Sequence, residues 1–285
     1  MQRPVLPPEA ILMTGCSSGI GYRTARHLQD AGYHVIATAR KAEDVAWLQG
    51  EFNAFQLDLA DSDSIHSAFS AILKLCHNRI SAVFHNGAFG LPGALEDISR
   101  DALRHQFETN VFGTHELNNL LIAHFRQQGH GRIILNSSVL GFAAMGYRGA
   151  YNMSKYAIEG MADTLRLELA GSNISVSLIE PGPIESRFRA NAYREFTTWV
   201  DATHSPHKTQ YESMIARLQK EDAVAPFTLP PEAVATQVEK ALTSRRPAAR
   251  YRITKPTKVF WYLKRLLPTR WLDVVLQKAG GGGKR

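Results

Sequence analysis

The chain has 285 residues, 44% hydrophobic and 21% charged, enough apolar side chain for a sizeable core. Its net charge of +7 is concentrated at one end: residues 245–285 carry twelve Lys or Arg and one acid, Asp273. Net +11 there leaves −4 for the remainder, which excludes a nucleic-acid-binding body and singles out the C-terminal segment. Cys16 and Cys76 are too few for a disulfide framework or a cysteine zinc site, and no metal site is evident. No apolar run is long enough to cross a bilayer, and residues 1–9, with three prolines, read as an extension without a signal-peptide core. A soluble, cytoplasmic protein is expected.

Residues 10–13 form an apolar run that predicts a short buried strand, and residues 20–31 have helical periodicity stopped by Gly32. Between them lies Thr14-Gly15-Cys16-Ser17-Ser18-Gly19-Ile20-Gly21. A strand, a glycine-rich turn and a helix aim backbone N–H groups and the positive helix end at a phosphate. The spacing differs from Gly-x-Gly-x-x-Gly, so the general dinucleotide fingerprint does not apply unaltered. A second strand, residues 33–39, ends at Arg40 and Lys41. In a dinucleotide-binding fold this strand end meets the adenosine ribose. Two cations there suit a 2′-phosphate, and so NADP(H) over NAD(H); the alternative is a solvated pair of charges.

Strand and helix continue to alternate. A short helix over 43–49 is closed by Gly50, and a strand over 53–57 ends at Asp58 and Leu59. Asp58 can accept from the adenine amino group or help cap the next helix, for which Asp61 or Ser62 also serves. That helix runs to Cys76; a strand over 82–84 follows, leading into His85, Asn86 and Gly87. A long helix is predicted over 105–128, a strand over 132–136, a helix over 151–169 and a strand over 174–179. Pro231 opens a helix to Ser244, and residues 250–254 make a seventh strand. This pattern predicts an α/β fold with one doubly wound parallel sheet of Rossmann type over residues 10–255, helices on both faces. Ligands bind such sheets beyond the carboxyl ends of the strands.

Tyr151 and Lys155 stand four apart at the start of a helix, and therefore on one face. An ammonium nearby favours the phenolate, which predicts a lowered tyrosine pKa and a proton relay to a carbonyl oxygen. Ser137 and Ser138 end the fifth strand, where one hydroxyl can bond both the substrate oxygen and the phenol.

With these motifs in order, residues 9–255 resemble the short-chain dehydrogenase/reductase family: Thr14-Gly15-x-x-x-Gly19-x-Gly21, Asn110 in Asn-Val-Phe-Gly, the serine pair, Tyr151-x-x-x-Lys155 and Pro181-Gly182. The resemblance implies a catalytic set of Asn110, Ser138, Tyr151 and Lys155, since the family's serine lies thirteen residues before its tyrosine. Lys155 would also hold the nicotinamide ribose, and Asn110 would position a water linking Lys155 to solvent. Gly15, Ser17, Ser18, Gly19, Ile20 and Gly21 would bind the diphosphate side, with Arg40, Lys41, Asp58, Leu59, Asn86 and Gly87 along the adenosine half. Pro181, Gly182 and Ile184 would flank the nicotinamide, and Ser186 stands where the family has a threonine. One motif departs: His85-Asn86-Gly87-Ala88 replaces Asn-Asn-Ala-Gly, which leaves the adenosine-side packing open.

Within the family the chain resembles hydroxysteroid and retinol dehydrogenases and bacterial NADP-dependent aldehyde reductases. Residues 89–93, 139–145 and Phe188 supply an apolar cleft, so a small apolar aldehyde or ketone and its alcohol are the expected substrates. The rival expectation is a non-catalytic NADP(H) sensor on the same fold. Residues 187–228 lack clean periodicity and correspond to the family's variable substrate lid. The resemblance implies a homodimer or tetramer built on the helices that carry Asn110 and Tyr151, with apolar stripes at Leu117, Leu120, Leu121 and Phe125 and at Ile158, Met161, Ala162 and Leu165. Residues 255–278 read as two amphipathic helices broken at Pro268, suited either to peripheral membrane contact or to packing on the body. Residues 280–285 read as a disordered glycine-rich tail.

Overall fold

Seven strands form, the inner ones carrying the runs of apolar residues that burial on both faces requires and the two at the sheet edges short and more polar. In a computed structural model, which describes residues 9–220 and 226–280, the strands are β1 (Ala10–Met13), β2 (His34–Ala39), β3 (Asn53–Gln56), β4 (Ile80–His85), β5 (Gly131–Asn136), β6 (Ile174–Glu180) and β7 (Arg250–Arg252). All pair in parallel, in the order β3-β2-β1-β4-β5-β6-β7. The order reverses between β1 and β4, so the crevice beyond their carboxyl ends is the natural ligand position.

The pleat divides the core. Leu12, Ile36, Val83, Ile133 and Leu135 face α3 (Ser62–Leu75), α5 (Gly113–Gln128) and α6 (Gly149–Glu168), burying Ile65, Ile72, Leu117, Leu121, Phe125 and Ile158. Their neighbours Ile11, Met13, Val35, Ala37, Phe84 and Ile134 face α1 (Gly19–Asp30), α2 (Ala42–Leu48) and α9 (Glu232–Thr243), through Ala25, Leu28, Val45, Leu48, Val234 and Val238. The doubly wound parallel sheet expected from the alternation is present. Asp61, not Asp58, caps α3, accepting from the backbone N–H groups of Asp63 (3.0 Å) and Ser64 (3.3 Å).

Two segments differ from the periodicity reading. The long helix expected over 105–128 is α4 (Arg100–Phe107), a π-helical turn over Glu108–Phe112, and then α5. A wider turn of five residues leaves the apolar spacing almost unchanged, so periodicity does not reveal it. The segment expected as a lid contains α7 (Phe188–Trp199) and α8 (Lys208–Leu218); Ala192, Phe196, Tyr211 and Met214 pack with one another and with Leu91 instead of on the sheet, which blurs the usual stripe. Residues 221–225 of the lid, the extension over 1–8 and the tail over 281–285 lie outside the described residues.

The C-terminal segment forms α10 (Lys255–Leu266) and α11 (Thr269–Gly280) on either side of Pro268. Among the described residues no helix is long and apolar enough to cross a membrane.

Candidate active site

The turn after β1 is held by short polar side chains. Thr14, buried, accepts at Oγ1 from the backbone N–H groups of Asn86 (3.0 Å) and Gly87 (2.9 Å). Asn86 Nδ2 donates back to the carbonyls of Gly15 (3.0 Å) and Thr14 (3.3 Å). Gly15 has φ +69°, and a Cβ there would lie 2.6 Å from Gly87 Cα; one on Gly21 would lie 2.1 Å from the Gly15 carbonyl. Backbone meets backbone here, and glycine alone permits it. At the departure Gly87-Ala88, Gly87 crosses Gly15, and a Cβ on Gly87 would stand 3.0 Å from the end of the Leu59 side chain.

Ser18 precedes helix α1 at the N-cap position, its side chain makes no capping bond, and the first turn of the helix holds no acid. The leading N–H groups and the positive helix end are left for an anion, with the Ser17 and Ser18 hydroxyls beside them. Ser186 faces this turn, its Cβ 3.1 Å from a Cβ built on Gly19. Ile20 and Ile184 pack together against the α1 side of the core, and the Pro181 carbonyl accepts from Val139 N–H (2.8 Å) beside Gly182. A dinucleotide's diphosphate fits this cradle. Cys16, in the middle of the turn, is fully buried, and burial pushes its thiol up to about 12.

At the adenosine end, Cys16 N–H donates to the Thr38 carbonyl (2.8 Å), fastening the turn to the last residues of β2. Arg40 and Lys41 follow, both exposed. Lys41 pairs with Glu43 at 3.1 Å, whereas the Arg40 guanidinium has no partner among the described residues. Asp58 accepts from Ala60 N–H (2.9 Å), bracing its own loop. Leu59 is buried in the core.

The residues expected to carry the chemistry lie beyond the ends of β4 and β5. Ser137 and Ser138 follow extended backbone and point to opposite sides. Ser137 Oγ donates to Glu159, away from the cleft. Ser138 Oγ accepts from Leu140 N–H (3.1 Å), and its hydroxyl neighbours the Tyr151 phenol, whose pKa it lowers. Lys155 Nζ donates to the Asn136 carbonyl (2.7 Å), and Asn136 Nδ2 donates to Asn86 Oδ1 (2.9 Å). A continuous hydrogen-bonded line thus joins the glycine turn to Lys155. Asn136, next to the serine pair, is a part of it that sequence reasoning passed over.

Asn110 is buried in the π-helical turn. Its Oδ1 accepts from Phe89 N–H (3.1 Å), and its Nδ2 donates to the Phe89 carbonyl (2.9 Å) and to Ser154 Oγ (3.0 Å). It therefore reaches the residue beside Lys155, and its side-chain bonds do not go to Lys155 itself. His85, also buried, bonds Asn118 Oδ1 through Nε2 (2.9 Å), and burial pushes its pKa down to about 4: a neutral core imidazole. Among the described residues no group of three or more His, Cys, Asp or Glu is placed to hold a metal.

The phenol's titration runs opposite to the expectation. Burial raises the Tyr151 pKa above its ordinary value, and the neighbouring Ser138 hydroxyl only partly opposes it. The Lys155 ammonium lies 5.6 Å from the ring centroid and is committed to Asn136, while burial pushes its own pKa down to about 8 against the Glu159 charge. Desolvation outweighs the charge that the spacing brings near. Tyr151 thus rests as a neutral phenol with a proton to give.

Apolar walls surround it. Phe188 stacks edge-on against Tyr151 with centroids 5.2 Å apart, and both crowd Gly90. Val139, Leu140, Phe142 and Ala143 cluster with Tyr151, and the same cluster includes Phe260, Trp261 and Leu276 from α10 and α11. These last three extend the cleft's lining beyond the segments expected to form it; their signal in sequence was the aromatic run over 259–263, which is equally a membrane or a packing motif.

Comparison with known proteins agrees with this architecture. The family profile described as short chain dehydrogenase matches residues 9–196. The oxidoreductase YbbO of Escherichia coli is 40% identical over 270 residues, covering 94% of both chains. The NADPH-dependent 3-dehydrocapnine reductase of Ornithobacterium rhinotracheale is 31% identical over 94% of this chain and 95% of its own. A short-chain dehydrogenase/reductase from Burkholderia phymatum, solved with NAD, superposes with a TM-score of 0.76 at 21% identity over 95% of this chain and 96% of that one. The chain belongs to the short-chain dehydrogenase/reductase family. It is an oxidoreductase of that family, whose members use NAD(P) and small-molecule substrates.

The position of Lys155 carries a pH consequence. Its lowered pKa means that the ammonium loses its proton as pH rises through about 8. If the charged form serves the reaction, kcat/KM for carbonyl reduction falls across that limb, and Lys155→Arg, charged throughout, flattens it. A profile unchanged by that substitution would remove Lys155 as the source of the limb.

Proposed function

We propose that the protein is an NADPH-dependent reductase that interconverts an apolar aldehyde or ketone and its alcohol. The observation that carries this reading is the line Gly15–Asn86–Asn136–Lys155, which sets an anion cradle at a fixed distance from a Tyr151–Ser138 pair in an apolar cleft. When bound in the cradle, the cofactor supplies a hydride. Tyr151 gives its phenolic proton to the carbonyl oxygen, and Ser138, whose oxygen already accepts from Leu140, keeps its hydrogen to donate to that oxygen. Lys155 lends positive charge to the phenolate left behind. Asn110 acts through Ser154 and Phe89, holding the start of α6 against the loop after β4.

The choice of NADPH rests on Arg40, an unpaired guanidinium at the end of β2 where a 2′-phosphate would lie, and the name of the Ornithobacterium relative is consistent with it. Ser17, Ser18 and the first turn of α1 would take the diphosphate, with Pro181, Gly182, Ile184 and Ser186 along the nicotinamide half. The apolar substrate class rests on Val139, Phe142 and Phe188 around Tyr151, with Phe89 and Leu91 in the neighbouring apolar cluster of α7 and α8. The expected stripes of Leu117, Leu120, Leu121 and Phe125 and of Ile158, Met161, Ala162 and Leu165 pack in the chain's own core, so the homodimer reading rests on Phe112, Met153, Tyr156 and Leu167, which α5, α6 and the π-helical turn leave exposed. Light scattering of the lipid-free protein tests it, and a clean monomer would refute it.

The function is tested by following NADPH oxidation with medium-chain aldehydes, retinal and steroid ketones. Wild-type protein should turn over at least one of these, Tyr151→Phe should lose orders of magnitude in rate with NADPH affinity nearly intact, and Arg40→Asp should bind NADPH about one to two decades more weakly while sparing NADH. NADPH binding without turnover of any carbonyl would favour a sensor, and a wild-type preference for NADH would overturn the Arg40 argument.

A further inference from the structure

The two C-terminal helices present different chemistry on opposite stripes. Inward, α10 places Phe260 and Trp261, and α11 places Leu276, on the apolar cluster that contains Tyr151. Trp261 is clamped between two guanidinium groups, Arg252 4.0 Å and Arg265 3.8 Å from the ring centroid. Arg252 pairs with fully buried Glu180 at 3.0 Å, so the clamp fastens α10 to the edge of the sheet. The segment is a docked part of the body, and the packing reading holds for this inner stripe.

Outward, α10 repeats Lys255, Val259, Tyr262 and Leu266 at four-, three- and four-residue spacing, one stripe with Lys258 beside it. Val259, Tyr262 and Leu266 are 52%, 59% and 75% exposed. On α11, Trp271 is 71% and Val274 50% exposed, flanked by Arg270 and Lys278. Because both inner stripes sit on the same cluster, both outer stripes face away from the body. An apolar face alone does not name its partner, but its charge does. Residues 255–280 hold six cations and a single acid, on a chain whose first 244 residues are net negative. A second copy docking through this face would set like charges against one another, since a two-fold contact brings the same patch together. An anionic bilayer accepts both features: aromatic and aliphatic side chains at the acyl boundary and cations over the headgroup phosphates.

We propose that the outer face of α10 and α11 docks the protein on an anionic lipid surface. Trp271, Leu266 and Tyr262 enter the interface, and Lys258, Arg270 and Lys278 lie over the phosphates. The inner stripes of the same helices wall the Tyr151 cluster, so the docked surface lies about one helix diameter, roughly 10 Å, from the apolar cleft. Docking does not depend on the reductase reading, and its test involves no turnover.

The test is flotation of the full chain with vesicles of phosphatidylcholine alone and of phosphatidylcholine mixed with phosphatidylglycerol. The protein should float with the mixed vesicles, progressively less as salt is raised, and stay behind with phosphatidylcholine alone. The triple variant Lys258→Glu, Arg270→Glu, Lys278→Glu should lose at least about a hundredfold in partitioning. The pair Leu266→Ser, Trp271→Ser should lose binding at low salt as well, with thermal unfolding of both variants unchanged because every substituted side chain is exposed. No flotation with the anionic vesicles, or equal flotation of wild type and both variants, would overturn the proposal. So would a wild-type dimer that dissociates on Leu266→Ser, Trp271→Ser without any vesicle binding, which would assign the face to a second copy.

Discussion

One carboxamide carries much of this architecture. Asn86 stands at the switch point between β1 and β4, donates to the carbonyls of Gly15 and Thr14, and accepts from Asn136, whose own carbonyl receives the Lys155 ammonium. Each such bond contributes only about 1 kcal/mol net, but a half-buried carboxamide left unpaired costs about 1–3 kcal/mol, so the line holds as a unit or loosens as one. It explains why Gly15 and Gly21 must be glycines: the carboxamide and the turn approach so closely that no Cβ fits between them. It also ties the glycine turn after β1 to Lys155 on α6 through three hydrogen bonds.

A second, charged network lies behind the serine pair. Glu159 receives Ser137 and pairs with Arg250; Arg250 also reaches Asp163 and Glu180, and Glu180 pairs with Arg252. Burial, with the like charge of Glu159, raises Glu180 to about 7 despite Arg252 and Arg250. Burying so many charges makes the cluster a poor source of net stability, while removal of one partner would leave another uncompensated. Its geometric effect is clear: it fixes β7 to β6 and α6, and through Arg252 and Trp261 it seats α10 beside the cleft.

The strands, the glycine turn and the Tyr151–Lys155 pair were legible in sequence because each is local: an apolar run, a run of small residues, a four-residue spacing. The side of the sheet on which Ser137 and Ser138 fall follows from the two-residue period of extended backbone, and the structure turns Ser137 to Glu159 and Ser138 to Tyr151. Other features depend on what surrounds a residue. The π-helical turn at Asn110 keeps a helix-like apolar pattern, and α7 and α8 bury their residues against each other. The rise in the Tyr151 pKa comes from burial, which spacing does not report, and the sequence showed the Lys155 charge without its commitment to the Asn136 carbonyl. For the C-terminal helices two readings stood side by side, and the inner and outer stripes separate them.

The coupling between cradle and relay is tested most directly at Asn136, which belongs to neither and joins both. NADPH affinity by fluorescence titration and the single-turnover rate of hydride transfer at saturating NADPH would be measured for Asn136→Ala. Loss of its bond to Asn86 should weaken cofactor binding and slow transfer together, by about tenfold in sum, with the fold intact. Wild-type values for both quantities would contradict the account.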